Sequence, residues 1–142
     1  MAPAGGLRTA SPLEVALTER PRAHVLVVDN EPEILEVLQT LLVDEGYAVS
    51  TARDGAEALE RVREAAPDLI LLDMLMPGMD GWGFAREYGR LPGPRAPIVV
   101  TAATYAEERA QQIGAAAHCA KPFELDALLT LIRQVARADR RA

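Results

Sequence analysis

The segment Leu69–Leu72 is a run of four apolar residues in which no polar residue alternates with an apolar one. A strand with this pattern is buried on both faces, as the strands of parallel sheets are. Asp73 follows the run directly, and the pair Pro77-Gly78 starts a turn four residues later. We therefore expect a carboxylate at the C-terminal end of a buried strand, where open α/β sheets bind their ligands.

Strand-like and helix-like segments alternate five times between residues 23 and 137. The predicted strands are His24–Val28, Tyr47–Ala52, Leu69–Asp73, Ile98–Thr101 and Ala116–Ala120. The predicted helices are Glu31–Gly46, Asp54–Ala65, Gly81–Leu91, Tyr105–Ile113 and Phe123–Arg137. Five such units in about 115 residues predict an α/β domain, a doubly wound five-stranded parallel sheet with helices on both faces.

Two segments lie outside this alternation, an N-terminal extension at residues 1–22 and a C-terminal tail at residues 138–142. The extension is rich in Pro, Gly, Ala and Arg, which favours a flexible linker. Within it, Ser11-Pro12-Leu13-Glu14 has the form of a capping box with proline at the first helical position. A short helix over residues 12–19 is therefore the alternative.

The composition excludes several classes of function. A net charge of −6 argues against binding to a phosphate backbone, which requires clustered basic residues. The single cysteine, Cys119, excludes an internal disulfide and a site with several cysteine ligands. No apolar stretch approaches the length of a membrane span, and the first residues lack the apolar core of a secretory signal. We therefore expect a cytoplasmic protein without nucleic-acid or membrane partners.

Polar side chains follow four of the predicted strands. Asp29 and Asn30 follow the first, Asp73 ends the third, Thr101 ends the fourth, and Lys121 comes after the fifth. Because the C-terminal ends of parallel strands share one edge of the sheet, these groups can converge. Carboxylate and amide oxygens suit Mg²⁺, and an aspartate beside that ion can act as a nucleophile towards phosphorus. A lysine would neutralise the transferring phosphoryl group, and a threonine hydroxyl would bond one of its oxygens.

At this point the chain resembles the receiver domain of two-component response regulators, the CheY-like superfamily. The matching stretches, in the right order and spacing, are VLVVDNEPEIL, PDLILLDMLMPGMDG, PIVVTA and KPF. The resemblance covers about residues 23–137 and implies the (βα)5 flavodoxin-like receiver fold. It also implies a cis peptide between Lys121 and Pro122.

The resemblance implies a role for each residue at the strand ends. Asp73 is the phosphoacceptor, and Lys121 binds the phosphate. The Mg²⁺ ligands are Asp29, Asn30, Asp73 and the backbone carbonyl of Leu75. Thr101 is the switch hydroxyl, and His118 stands at the position of the aromatic residue that moves with it.

Several candidates also have a plain structural interpretation. Asp29 can cap the first helix, since Asp is a good N-cap residue, and Asp80 is expected to cap the third helix rather than bind metal. Trp82 is expected to serve packing, and His24 to be a strand-edge residue without chemistry. Three alternatives remain: Asp73 could initiate a turn, Lys121 could be a solvated lysine, and Thr101 could be an ordinary strand residue.

The chain departs from the family pattern at three places. Asn30 replaces the usual second carboxylate, which predicts weaker Mg²⁺ binding and slower phosphorylation. His118 replaces a Tyr or Phe, so it is either an exposed histidine on an edge strand or part of a switch that depends on pH. The segment from Thr101 to Lys121 is about two residues short, which predicts a short or displaced fourth helix and leaves the oligomeric state open.

The leading function is that of a single-domain response regulator, a signalling phosphoacceptor rather than an enzyme. Its expected partners are a histidine kinase or a histidine phosphotransfer protein, and a downstream protein target. A receiver-like adaptor that works without phosphorylation is the alternative, motivated by Asn30 and His118. A phosphatase is the least favoured function, because Leu75 stands where such an enzyme would need a second acid.

Overall fold

All five predicted strands form one parallel sheet in a computed structural model that describes residues 22–141. The strand order is β2-β1-β3-β4-β5. The strands are β1 His24–Val28, β2 Ala48–Ala52, β3 Leu69–Asp73, β4 Ile98–Ala102 and β5 Ala117–Ala120. β3 is buried along its whole length, as its continuous apolar run predicts.

A helix follows each strand, which confirms the predicted α/β fold for the described residues. The helices are α1 Pro32–Asp44, α2 Gly55–Glu64, α3 Gly81–Arg90, α4 Ala106–Ile113 and α5 Leu125–Arg141. Most of their ends lie within one or two residues of the predicted ones. Helix α4 has eight residues, so the prediction of a short fourth helix is confirmed.

Two hydrophobic layers cover the sheet, because successive residues of a strand point to opposite faces. Val25, Val27 and Leu71 lie on the face that α1 and α5 cover, where Leu38 and Ile132 pack against them. The alternate residues of these strands lie on the other face, which α2, α3 and α4 cover; they include Leu26, Val28 and Leu72. Burial on both faces explains why no polar residue alternates along β3.

Two helices end at least two residues away from their predicted C-termini. Helix α1 ends at Asp44, and Gly46 lies beyond it with φ +95°, a conformation that glycine adopts readily and that stops a helix. Helix α5 continues to Arg141, into the predicted tail, because Ala138-Asp139-Arg140-Arg141 contains neither Gly nor Pro to end it. The short helix considered for residues 12–19 lies outside the described residues.

The strand order places β1 beside β3 at the centre of the sheet, and the chain leaves this pair in opposite directions. Such a reversal opens a crevice at the C-terminal ends of the strands. The crevice forms between the segments that carry Asp29 and Asp73. Among the helices within residues 22–141, none combines the length and the apolar character needed to cross a bilayer.

The start of α3 packs tightly against the end of β3. The backbone N–H of Gly81 donates to the carbonyl oxygen of Met74, at 3.0 Å. A Cβ atom at position 81 would lie 2.6 Å from Met74 Sδ and 2.7 Å from Met74 Cα. Only glycine therefore permits this close approach, which fixes the loop that follows Asp73.

Replacing Gly81 with alanine is expected to destabilise the fold by about 1–3 kcal/mol, because the new methyl group overlaps backbone atoms that cannot move freely. Gly89 lies in the same helix, and a methyl group added there would meet no atom within 4 Å. Gly89→Ala is therefore the matched control and should stabilise the helix by about 0.5 kcal/mol. Urea unfolding of both variants measures the difference, and equal stabilities would contradict the proposed role of close packing at Gly81.

Candidate functional site

The buried polar side chains gather at one edge of the sheet. Asp29, Asp73 and Thr101 are the buried polar or charged residues among those described, with 2%, 6% and 3% of their surface exposed. Asp29 follows β1, and Asp73 pairs with Thr101 between the ends of β3 and β4. Burying two carboxylates is costly, so their presence together at a strand edge points to a chemical role.

Lys121 supplies the cation that lies between these carboxylates. Its Nζ is 2.6 Å from Asp29 Oδ2 and 3.6 Å from Asp73 Oδ1, and the lysine side chain is 12% exposed. The loop after β5 delivers it: the Lys121 backbone N–H donates to the Ala102 carbonyl oxygen, and the Lys121–Pro122 peptide is cis, as expected. Lys121 is therefore not a solvated surface lysine.

Lys121 is the only lysine in the chain, and every other Lys or Arg position holds an arginine. The sequence alone therefore sets Lys121 apart from the other basic residues. An ammonium is a compact point charge on a flexible stem, whereas a guanidinium is a planar fork. A lone lysine placed between two buried carboxylates is thus a distinctive feature of this site.

The environment raises the pKa of the Asp73 carboxyl above its ordinary value. Burial is the largest cause, and the negative charge of Asp29 adds to it. The positive charge of Lys121 and a hydrogen bond from the Leu75 backbone act in the opposite direction without reversing the shift. Two like charges therefore compete within one small site, and the lysine only partly relieves them.

The pKa of Lys121 is also raised. Burial, the largest single influence, favours the neutral amine, but the hydrogen bond and the charge of Asp29 favour the ammonium, as do the charges of Asp73 and Glu31. Together these carboxylates outweigh the effect of burial. Lys121 thus stays protonated at neutral pH and keeps its positive charge beside Asp73.

Asp29 does not serve as the N-cap of α1. Its Oδ1 accepts a hydrogen bond from the Glu31 backbone N–H, at 2.9 Å, and Glu31 itself is the N-cap residue. This is a turn in which an aspartate bonds the backbone two residues on. Asn30, between them, is exposed. The local turn leaves Asp29 Oδ2 facing Lys121.

Asp80 behaves as a cap, as predicted. Its Oδ1 accepts from the Gly83 backbone N–H at 2.9 Å and begins α3. The loop between Asp73 and Asp80 is further fixed where the Gly55 backbone N–H donates to the Met79 carbonyl oxygen. Leu75 lies in this loop with 55% of its surface exposed.

The donor set at the sheet edge suits a hard divalent cation. Asp29 and Asp73 offer carboxylate oxygens, Asn30 carries an amide oxygen in the turn after β1, and Leu75 has a backbone carbonyl in the loop after β3. Mg²⁺ commonly uses one or two carboxylates and keeps several waters. Across residues 22–141, no three His, Cys, Asp or Glu side chains form a complete metal cluster. Two carboxylates with two neutral oxygens therefore fit Mg²⁺ that keeps several waters.

His118 lies on β5, opposite Val100, and its side chain is exposed. The interpretation of an exposed histidine on an edge strand is confirmed. Its role in a switch stays a prediction. Cys119, the next residue on β5, is the one that pairs with Thr101 of β4. His118 is thus one position away from the direct neighbour of Thr101.

Trp82 joins α3 to α4. Its indole N–H donates to Gln112 Oε1 at 2.8 Å, and the Arg109 guanidinium lies 5.5 Å from the ring centroid. The same guanidinium is 5.9 Å from the ring of Tyr105, a residue with φ 54° that precedes α4. Trp82 therefore serves packing between helices, as predicted. Its partners in this cluster could not be predicted from local sequence, because Trp82 and Gln112 are 30 residues apart.

Glu31 is a further residue of the site that was not predicted from the sequence. Its Oε1 lies 3.8 Å from Lys121 Nζ, so a third carboxylate faces the same ammonium. The Glu31 side chain is 55% exposed, in contrast to the two buried aspartates. The signal was present in the sequence as an acidic residue directly after Asn30.

The model of the response regulator receiver domain matches residues 25–133. The chain is 38% identical over 113 residues to the transcriptional regulatory protein DltR of Streptococcus agalactiae, and 40% identical over 117 residues to the response regulator MprA of Mycobacterium leprae. These matches cover 78% and 80% of this chain but 50% and 51% of the two relatives. The chain thus spans about half the length of these curated relatives.

A similar fold occurs in the crystal structure of the receiver domain of NtrX from Brucella abortus. The two chains share 30% identity with a TM-score of 0.72. The match covers 80% of this chain and 98% of that one.

Asp73→Asn is expected to stabilise the folded protein at pH 7. The folded state binds a proton at Asp73 more tightly than the unfolded chain does, so stability falls as the pH rises from the ordinary aspartate pKa of about 3.9 through the raised folded value. Asparagine does not ionise, so the variant escapes this loss of stability. Its advantage over wild type should therefore vanish near pH 4.

Thermal unfolding at pH 4 and pH 7 measures the effect, with the exposed Asp126→Asn as the control. That variant should stay within about 0.5 kcal/mol of wild type. The raised pKa of Lys121 does not interfere, because its contribution is present at neutral pH and is lost only as the pH rises above about 10.4. A destabilised Asp73→Asn variant at pH 7 would contradict the electrostatic account.

Proposed function

The chain belongs to the response regulator receiver domain family, and we propose that Asp73 is the phosphoacceptor of this receiver. Phosphorylation of an aspartate by a histidine kinase is the known role of this domain. One observation carries the assignment: the Asp73 carboxylate, buried at the end of β3, lies 3.6 Å from the only lysine and opposite Thr101. No other aspartate among the described residues combines these features.

In the proposed reaction, an Asp73 carboxylate oxygen attacks the phosphorus of a phosphohistidine on the partner. A new oxygen–phosphorus bond forms while the phosphorus–nitrogen bond breaks, so the imidazole leaves and an acyl phosphate remains. The ionised carboxylate is the nucleophile, and the positive charge of Lys121 beside it favours this charged form. The same ammonium compensates charge on the phosphoryl oxygens.

We assign the Mg²⁺ ligands to Asp29, Asn30, Asp73 and the Leu75 carbonyl. When bound, the ion neutralises charge on the phosphoryl group. Asn30 offers a neutral oxygen in place of a carboxylate, so the site carries one negative charge fewer. This supports weaker Mg²⁺ binding than an aspartate at the same position would give.

Thr101 is proposed to report the modification. Its hydroxyl group is buried beside Asp73 in the register of the sheet, where it can donate to a phosphoryl oxygen. The adjacent loop leads into the short helix α4, so a shift of Thr101 alters the surface that follows it. His118 is the second proposed switch residue, acting from the exposed edge of β5.

The proposed phosphodonor is a histidine kinase or a histidine phosphotransfer protein. A cleft of about 380 Å³ beside Lys121 is lined by Ile34, Pro122 and Phe123 together with Glu31 and Ala103. Its apolar wall suits a protein surface that must bring a histidine close to Asp73. We propose this cleft as part of the donor interface, and family membership supports a reaction in the cytoplasm.

A downstream protein is the proposed reader of the phosphorylated state. DltR is a transcriptional regulatory protein and MprA a response regulator, and both are about twice as long as the segment matched here. The receiver itself is a signalling phosphoacceptor, and its own catalysis is confined to phosphoryl transfer and to loss of the phosphate by hydrolysis. An adaptor function without phosphorylation is the competing assignment.

Incubation with Mg²⁺ and a labelled small-molecule phosphodonor such as acetyl phosphate is expected to label the wild-type chain. The label should be released by hydroxylamine, which cleaves acyl phosphates, and should be absent in Asp73→Asn. Asp80→Asn is the matched control, since asparagine also caps a helix and position 80 is outside the proposed site. Undiminished labelling of Asp73→Asn overturns the assignment, and an unlabelled but folded wild type favours the adaptor.

Asn30→Asp is expected to tighten Mg²⁺ binding by about tenfold, because it adds one carboxylate to a site otherwise held by two. Isothermal titration with MgCl₂ measures the dissociation constant directly. An unchanged constant would mean that position 30, which is exposed in the structure, does not contribute to the ion's environment.

A further inference from the structure

We propose that Glu31 is the positioning residue for Lys121, the carboxylate that retains the lysine when Asp29 and Asp73 turn to the metal. The inference rests on the proposed function and deepens it. It concerns the residue that directly follows Asp29 and Asn30, two of the proposed metal ligands, and that is not itself one of them. Glu31 acts through Lys121 and does not touch the reacting phosphoryl group.

The geometry shows one ammonium shared by three carboxylates. Lys121 Nζ lies 2.6 Å from Asp29 Oδ2, 3.6 Å from Asp73 Oδ1 and 3.8 Å from Glu31 Oε1. The short contact with Asp29 is the strongest of the three. Asp29 Oδ1 accepts a hydrogen bond from the Glu31 backbone N–H, and Oδ2 faces the ammonium.

A metal ion held by Asp29 would lie close to the ammonium that pairs with the same carboxylate. Two positive charges beside one buried carboxylate repel each other strongly, because little water screens them. This repulsion would favour a looser contact between Lys121 and Asp29 when Asp29 serves as a metal ligand. The same repulsion would act at Asp73, the other proposed carboxylate ligand.

Glu31 is the carboxylate that remains available. It begins α1 at the rim of the site and is 55% exposed, so its side chain can follow the lysine. It also lines the cleft beside Lys121 that we assign to the phosphodonor. Pairing with Glu31 would keep the ammonium at the mouth of the site, protonated and ready to meet a phosphoryl oxygen. The missing charge of Asn30 makes this neighbouring carboxylate more important.

Glu31→Gln is expected to weaken Mg²⁺ binding about two- to fivefold, the range of a partly exposed ion pair. Glu33→Gln is the matched control, an exposed glutamate in the first turn of the same helix with the same change of charge. Glu33→Gln should change the Mg²⁺ dissociation constant much less than Glu31→Gln does. Isothermal titration with MgCl₂ alone, without a phosphodonor, measures all three proteins.

A second measurement separates action through Lys121 from a general charge effect. Because Lys121 is the only lysine, protein grown with ¹³C-lysine gives a single lysine spin system whose ε-methylene signal reports its surroundings. In the Mg²⁺-bound state this signal is expected to differ between wild type and Glu31→Gln, and to be unchanged in Glu33→Gln. Circular dichroism confirms that the variants are folded.

Two results would overturn the inference alone: equal Mg²⁺ affinities for the Glu31→Gln and Glu33→Gln variants, or identical lysine signals in the Mg²⁺-bound wild type and Glu31→Gln. A wild type that binds no Mg²⁺ would instead contradict the proposed function itself. The two failures are thus distinguishable in one set of titrations.

Discussion

The site depends on holding two buried carboxylates, Asp29 and Asp73, within reach of one ammonium. The like charges raise the pKa of Asp73, and Lys121 compensates them only in part. A fold selected for stability alone would place apolar residues at these positions. The rest of the structure supplies the stability that this arrangement costs, mainly through a sheet buried on both faces.

The parallel sheet is what brings the charges together. Its order places β1 beside β3 and β3 beside β4, so that three strand ends deliver Asp29, Asp73 and Thr101 to one edge. Lys121 arrives in the loop after β5, where its backbone N–H donates to the Ala102 carbonyl oxygen at the end of β4, and its long side chain reaches Asp73 and Asp29 from there. This explains why the cation is a flexible lysine whereas its partners are short aspartates fixed at strand ends.

The surroundings of the site are held by backbone contacts rather than by further charges. Gly81 allows α3 to begin against Met74, and the Met79 carbonyl accepts from Gly55 at the start of α2. These contacts fix the loop after Asp73 while leaving Leu75 exposed. The opposite rim is looser, because Glu31 and Asn30 face solvent. A rigid Asp73 beside a more adaptable rim suits the phosphoacceptor role proposed above.

The sequence by itself determined the elements and their faces. The continuous apolar run Leu69–Leu72 required a doubly covered strand, and alternation with amphipathic helices required a parallel sheet. The strand-end residues could be named in advance because parallel strands end at a common edge. Asp80 as a cap and Gly46 as a helix stop were also predictable, since both effects act within a few residues.

Only the tertiary structure decided which charges meet and at what distance. Lys121 and Asp29 are 92 residues apart, yet they form the shortest ion pair of the site. The contact of Glu31 with Lys121 and that of Arg109 with Trp82 arise in the same way. Such contacts depend on strand register and side-chain rotamers, which are set by packing across the whole domain and not by local sequence.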